Sequence, residues 1–294
     1  MESVAIIGAG FAGMAACYLL SKGGYRVTLY DEGGIGAGAS GVSPGLLHPY
    51  PGKFPKRKGA LFAEAMALVE VAGEGAVRSR GIVRIATGAA QGLYFKRLAR
   101  KSDDVESWEG GILITSGVTL NTRAYLQGLW RESERIGAQF IQMRIEEKPD
   151  ADWVVYATGA ATPVEALRVK GQVLELEWPQ GVPPLPHSII GRKYLVMEGD
   201  RCVVGATFEE EFDSPEPDEA FAIKELLPEA IALCPALKGA KVVGVRAGIR
   251  ACLPEPALIR LGPTSWAIAG LGSKGLLNHA HLAHKLLNAL SVGE

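Results

Sequence analysis

Cysteine is scarce in this sequence. Four stand among 294 residues, Cys17, Cys202, Cys234 and Cys252, and no two form a Cys-x-x-Cys pair. A disulfide framework and a cysteine-ligated zinc site are therefore not expected, and a reducing compartment is. An excess of charge of one sign is missing too: 31 Lys and Arg face 32 Asp and Glu, for a formal net charge of -1. No global basic field speaks for nucleic acid. No uninterrupted apolar run reaches the roughly 20 residues that span a bilayer. No basic segment precedes the first strand pattern, so a secretory leader is not expected and the cytoplasm is the expected location. With 48% hydrophobic and 21% charged residues, the composition is that of a globular protein, long enough for one large domain or two modest ones.

Glycine is what abounds, at 37 residues. In a non-collagenous chain it marks turns and places where backbone closes on a ligand. The first such place lies near the start. Val4-Ala5-Ile6-Ile7 reads as a strand buried on both faces. Gly8-Ala9-Gly10-Phe11-Ala12-Gly13 follows, then a helical run from Met14 to Lys22, ended by Gly23-Gly24. Tyr25 to Tyr30 reads as a second strand that closes on Asp31. This is the strand–turn–helix–strand unit of a dinucleotide site. Gly8 permits the turn, Gly10 lets the backbone approach a pyrophosphate, and Gly13 lets helix pack on strand. The helix start presents its free N–H groups to the phosphates. Asp31 is expected to accept two hydrogen bonds from a ribose.

After Asp31 and Glu32 the chain enters a long Gly/Ala/Ser loop, running through Gly38-Ala39-Ser40-Gly41 to Gly45, where a nicotinamide dehydrogenase would enter a helix. It suggests backbone wrapped around a second ligand surface. Further on, Ala60 to Ala72 reads as a helix and Arg80 to Ala86 as a strand. Val118 to Arg135 reads as a helix with Thr119 and Asn121 as possible caps. Asp152 to Ala160 reads as a buried strand that ends on Ala157-Thr158-Gly159. Tyr194 to Glu198 and Arg201 to Phe208 read as an antiparallel pair, and Asp218 to Leu227 as a short helix before Pro228. After a strand at Trp266 to Ala269, Gly270-Leu271-Gly272-Ser273-Lys274-Gly275 feeds a last helix, to about Leu290. Two glycine turns at two helix starts suit a cofactor with two ends, a pyrophosphate and an isoalloxazine ring. A positive helix end, with Lys274, would stabilise the anionic reduced ring.

These blocks resemble the FAD-dependent amine and amino-acid oxidoreductases of the D-amino-acid oxidase superfamily. The resemblance rests on Gly38 to Gly41 with Gly45-Leu46-Leu47, on Gly244-Val245-Arg246 with Arg250 and Leu253-Pro254, and on Gly270 to Leu276. Within the superfamily the chain is most similar to the FAD domain of MnmC-type tRNA-modifying enzymes, which remove a carboxymethyl group from a wobble uridine.

The resemblance implies an α/β fold. A Rossmann-like FAD-binding domain of glutathione-reductase type would be built discontinuously from residues 1–80, 119–165 and 240–294. A smaller, shortened α+β antiparallel-sheet substrate domain would come from 81–118 and 166–239. FAD would be noncovalent, because the place where some sarcosine oxidases attach it to a cysteine falls near Gly244. The cofactor would lie against Gly8, Gly10, Phe11, Ala12, Gly13, Asp31, Glu32, Ala39, Ser40, Gly41, Gly45, Ala157, Thr158 and Gly159. Its other end would meet Gly272, Ser273, Lys274, Gly275 and Leu276. The implied reaction oxidises a C–N bond, with a hydride passing to flavin and the imine hydrolysing. A carboxylate-bearing amine needs an arginine fork. Arg246, at the Gly-x-Arg place, is the first candidate and Arg250 the second. His48, after the glycine-rich loop, is a candidate to face the flavin. One departure stands out: Ala251 follows Arg250, where the family usually carries an acid before Leu-Pro.

Three readings stay open. One is a flavoenzyme acting on a small amine or amino acid. Another is a flavoenzyme of the MnmC type acting on tRNA, with Lys53, Lys56, Arg57 and Lys58, around Phe54-Pro55, meeting the nucleic acid; the same cluster also reads as a solvated turn. The third is a flavin-binding protein without catalysis, suggested by the short substrate domain. Glu209-Glu210-Glu211 reads as a solvated run. His279, His281 and His284 share the last helix with no carboxylate beside them, and no metal site is expected.

Overall fold

The computed structural model describes residues 1–292. Its strands are β1 (Ser3–Ile7), β2 (Arg26–Asp31), β3 (Leu46–Leu47), β4 (Val77–Ile85), β5 (Val105–Trp108), β6 (Gly111–Leu120), β7 (Gln139–Gln142), β8 (Trp153–Tyr156), β9 (Leu167–Glu177), β10 (Ser188–Ile190), β11 (Tyr194–Glu198), β12 (Arg201–Gly205), β13 (Val242–Gly262) and β14 (Ser265–Leu271). The helices are α1 (Phe11–Lys22), α2 (Ala39–Val42), α3 (Gly59–Ala72), α4 (Ala89–Ala99), α5 (Thr122–Arg135), α6 (Glu219–Leu233) and α7 (Gly275–Ser291).

Five strands in the order β7-β2-β1-β8-β14 pair in parallel. The middle three residues of β1 are buried, as a strand covered on both faces requires. Helices α1, α3, α5 and α7 pack around the main core with it. Nearly every residue of α1 from Phe11 to Ser21 is buried, which its Ala and Gly content permits at close range. Asn121 caps α5 by accepting from Ala124 N–H at 3.2 Å.

The long strand β13 joins two sheet regions. Its first part pairs antiparallel with β9 and its last part antiparallel with β14. Pro254 and Pro256 fall where the pairing with β14 shifts register between Cys252 and Ala257, a position that tolerates a missing donor. Beyond β9 the sheet continues through β12, β11, β10, β4, β6 and β3, mostly antiparallel. A second core lies between this region and α6, and a third gathers Tyr50, Phe95, Val105, Ile112 and Ile114.

Several expectations need correction. Residues 118–120 close β6, and α5 starts at Thr122; Thr119 is no cap but a buried strand residue bonded to Ser188 at 2.7 Å. Helix α6 runs through Pro228 to Leu233. Proline removes one helix bond, but Pro228 is exposed, and the buried face of Ala222, Leu226 and Ala230 continues past it at four-residue spacing. Glu209 is not freely solvated: it accepts from Gln172 Nε2 at 3.1 Å and from the Thr207 hydroxyl.

Candidate functional site

The first glycine turn sits at the carboxyl ends of β1, β2 and β8, where open α/β sheets hold ligands. Gly8 has φ +107°, and a Cβ there would overlap the Ala157 carbonyl. A Cβ on Gly13 would overlap the Gly8 carbonyl, so strand and helix touch through bare backbone. Gly13 lies inside α1, which starts at Phe11, three residues before Met14. Ser40 of α2 accepts from Phe11 N–H at 3.0 Å and stands 2.8 Å from where a Gly10 Cβ would be. The glycine-rich loop thus folds back over the start of α1. Gly41 packs on the Gly36 carbonyl and Gly45 on that of Leu120, each too close for a side chain.

Asp31 accepts from Ala9 N–H at 2.8 Å, Gly33 N–H at 2.9 Å and Gly34 N–H at 3.0 Å. A carboxylate offers about four acceptor positions, so one remains. That is room for one ribose hydroxyl, where two were expected. Glu32 is exposed, 3.9 Å from Arg144. At the end of β8, Ala157 is buried, Gly159 takes φ +55°, and the Thr158 hydroxyl is buried without a partner. An orphaned hydroxyl beside a backbone cradle that only glycine fits suits a nucleotide cofactor.

The second turn, with φ +72° at Gly270 and +50° at Gly272, feeds α7. A cavity of about 70 Å³ is lined by Leu46, His48 and Pro51 on one side and by Ser273, Lys274, Leu276 and Leu277 on the other. His48 and the expected flavin-side residues thus meet. Burial, with Arg84 adding to it, pushes the His48 imidazole down to about 3. Its Nδ1 accepts from Tyr50 N–H at 3.2 Å. A neutral ring with Nδ1 accepting carries its proton on Nε2. His48 is therefore a hydrogen-bond donor, and its Nδ1 is not free to take a proton.

Arg84 was not anticipated. It is buried, donates to the Tyr50 and Gly52 carbonyls at 2.8 Å each, and lies 5.3 Å from the Phe95 ring centre. No carboxylate among the described residues pairs with it. One arginine inside the apolar run Ile82-Val83-Arg84-Ile85 was the available signal.

The antiparallel region supplies a second wall. Arg84, Ile190, Tyr194, Gly205, Val173 and Arg246 form one register row across six strands, so their side chains leave one face. The other face packs on α6 through Leu174, Leu176, Leu195, Cys202 and Val204. On the first face, a Gly205 Cβ would stand 2.5 Å from the Tyr194 phenol oxygen, and a Gly171 Cβ would overlap the Arg250 guanidinium. A Gly248 Cβ would stand 2.9 Å from Ala39. Phenol, guanidinium and α2 therefore lie side by side on a glycine floor. Gly205 and Gly171 are diagonal neighbours, about 7 Å apart.

The two candidate carboxylate-binding arginines have different partners. Arg246 is ion-paired through Nε with Glu175 and through Nη2 with Glu198 at 3.2 Å, and Glu198 also takes Arg78 at 2.9 Å. Both of its ion-pair partners come from within the protein, and its Nη2 donates to Glu198. Arg250 spends one N–H on the Thr207 carbonyl at 2.9 Å and stacks 5.6 Å from the Phe208 ring centre, which leaves the rest of its fork for a ligand.

Three other groups have defined places. Phe11 meets Tyr125 and His279 with ring centres 6.3 and 5.9 Å apart. His281 does have a carboxylate beside it, Glu64 at 3.1 Å; among the described residues no three His, Cys, Asp or Glu side chains cluster to hold a metal. The Lys53–Lys58 segment lies along α4, which donates from Gln91 to the Lys53 carbonyl at 2.7 Å and from Tyr94 to that of Pro55 at 2.6 Å.

A parallel sheet with a phosphate-type glycine turn, a second helix start at a shared cavity and an antiparallel wall define a two-part dinucleotide-binding oxidoreductase fold. The chain belongs to the DAO family, FAD dependent oxidoreductase, which it matches over residues 3–288. It is 28% identical to ThiO of Rhizobium etli, an oxidoreductase ascribed to thiamine biosynthesis, over 95% of this chain and 92% of that one. It is 25% identical to the tRNA 5-methylaminomethyl-2-thiouridine biosynthesis bifunctional protein MnmC of Maricaulis maris, covering 99% of this chain and spanning 52% of that protein's length. The glycine oxidase of Geobacillus kaustophilus superposes with a TM-score of 0.78 at 20% identity, over 100% of this chain and 96% of that one. No helix among the described residues is long and apolar enough to cross a membrane.

Proposed function

We propose that this FAD-dependent oxidoreductase oxidises the C–N bond of a small amine or amino acid that carries a carboxylate. The observation that carries the reading is the Arg250 guanidinium, with most of its fork free, lying beside the Tyr194 phenol on the glycine floor against α2. A guanidinium and a hydroxyl side by side on one sheet face match the two oxygens of one bound carboxylate. The relatives named thiamine-biosynthesis oxidoreductase and glycine oxidase support a small substrate.

FAD supplies the hydride acceptor when bound. The start of α1 with Ser40 would hold its pyrophosphate, Asp31 a ribose hydroxyl, and the Thr158 hydroxyl would gain its missing partner. The start of α7, with Lys274, would face the ring with positive charge. Arg250 and Tyr194 orient the substrate so that its C–H faces the ring. His48, with its proton on Nε2, lines the cavity together with Ser273 and Leu276. In this reading residues 1–80, 119–165 and 240–294 form the FAD-binding domain, from which β13 also presents Arg250 to the substrate, and 81–118 and 166–239 form the substrate domain. The test is the visible spectrum of the flavin-loaded protein during anaerobic addition of N-substituted glycines and D-amino acids. Bleaching by carboxylated amines but not by their decarboxylated analogues supports the reading. A flavin that none of them bleaches refutes it.

The Lys53–Lys58 segment favours a second reading, in which the amine is part of a tRNA. Its backbone is held against α4 by Gln91 and Tyr94, Arg57 is ion-paired with Asp104 at 3.3 Å, and the segment continues directly from the cavity-lining Pro51. Bleaching by modified tRNA alone would select that reading.

A further inference from the structure

Two polar side chains sit where nothing polar is needed. Tyr125 of α5 and His279 of α7 are both 0% exposed, inside the largest apolar core of the protein. They are hydrogen-bonded to each other at 2.5 Å. Burial keeps the imidazole neutral, down to about 4, and holds the phenol protonated; a protonated phenol donates, so His279 accepts at Nε2. Its Nδ1 is buried with no partner of good geometry. A Leu–Phe pair would fill this volume with no desolvation cost, so the pair calls for another explanation.

Its neighbours supply one. Phe11, the first residue of α1 and part of the glycine turn, packs against both rings. The same Phe11 ring lies 3.4 Å from where a Cβ on Gly275, the first residue of α7, would stand. The hydrogen bond is thus one turn behind the start of α7 and directly behind the start of α1. A directional bond fixes the rotation of α7 about its own axis, which apolar contacts alone leave looser.

We propose that Tyr125 and His279 are positioning residues that lock the starts of α1 and α7 in register, so that both ends of one FAD are met at once. The proposal rests on the FAD site and not on the identity of the amine. The test is a double-mutant cycle on the full chain, reading FAD affinity by titration of the flavin-free protein and, separately, the thermal midpoint of that flavin-free protein. Tyr125→Phe and His279→Leu each orphan a buried partner and lower the midpoint. The Tyr125→Phe/His279→Leu pair removes both polar groups, and its midpoint is expected to recover. Its FAD dissociation constant is expected to stay raised by about tenfold, the scale of one hydrogen bond's net contribution. Recovery of both midpoint and FAD affinity in the double variant would reduce the pair to a structural contact and overturn the proposal. Should the double variant not fold, His279→Gln takes its place. That side chain keeps an acceptor for the phenol, so FAD affinity close to that of the parent is expected, and a tenfold loss would count against the proposal.

Discussion

Exchanging each of the two arginines of β13 for methionine separates substrate binding from architecture. Arg250 makes one hydrogen bond to the Thr207 carbonyl and one stacking contact with Phe208. If its free N–H groups hold a substrate carboxylate, Arg250→Met removes two charge-assisted bonds, each about 1.5–3 kcal/mol. A loss of about 3–6 kcal/mol corresponds to a drop in kcat/KM of roughly 10²–10⁴ for a carboxylated amine, with little change in Tm. Arg246 behaves in the opposite way. It stands between Glu175 and Glu198, whose side chains are 16% and 24% exposed. Its loss leaves each with one arginine, Arg201 and Arg78. Discounted for that solvent access, Arg246→Met costs about 1–2 kcal/mol of stability, a Tm shift of a few degrees, with KM close to that of the parent. Steady-state kinetics on a carboxylated amine and its decarboxylated analogue, with thermal melts of the same preparations, give both numbers. A large kcat/KM loss in Arg246→Met together with an unaffected Arg250→Met would refute the assignment.

Other outcomes follow from the same geometry. His48 and His279 are held below the ordinary imidazole value, at about 3 and about 4, so the unfolded chain binds protons at these sites before the folded one does. Their contribution is fully present above pH ~6.5 and is lost as pH falls from there toward ~4 and ~3, with a slope of up to about 1.4 kcal/mol per pH unit per residue; urea melts of His48→Gln should show a shallower decline between pH ~6 and ~4 than the parent. Pro228→Ala restores a helix donor at an exposed position of α6 and should raise stability by about 1–2 kcal/mol, seen as a higher urea midpoint; a lower midpoint would contradict the continuous helix. Gly13→Val drives a side chain into the Gly8 carbonyl, and the expected result is protein that no longer takes up FAD, checked by its absorbance after dialysis against excess cofactor.

What the sequence made legible, and what it did not, divides by distance along the chain. The Gly8–Gly13 turn could be read because its requirements are local: one strand, one tight turn and one helix start, all within a few residues of each other. The last glycine turn, Gly270 to Gly275, was readable on the same terms. The different partners of Arg246 and Arg250 were not. Both lie on one strand four residues apart, so they share a face and no local pattern tells them apart. The difference is made by Glu175 on β9 and Glu198 on β11, brought to Arg246 by pairing registers that the sequence does not print. Arg84 was missed for the same reason: its role depends on the backbone carbonyls of Tyr50 and Gly52, more than thirty residues earlier. Asp31 shows the subtler case. Its position at the end of β2 was evident, but three N–H groups already occupy it, that of Ala9 from the glycine turn and those of Gly33 and Gly34 from the loop that follows Asp31. One carboxylate thus braces both the glycine turn and the loop after β2, a contact between segments about twenty residues apart that no local pattern announces.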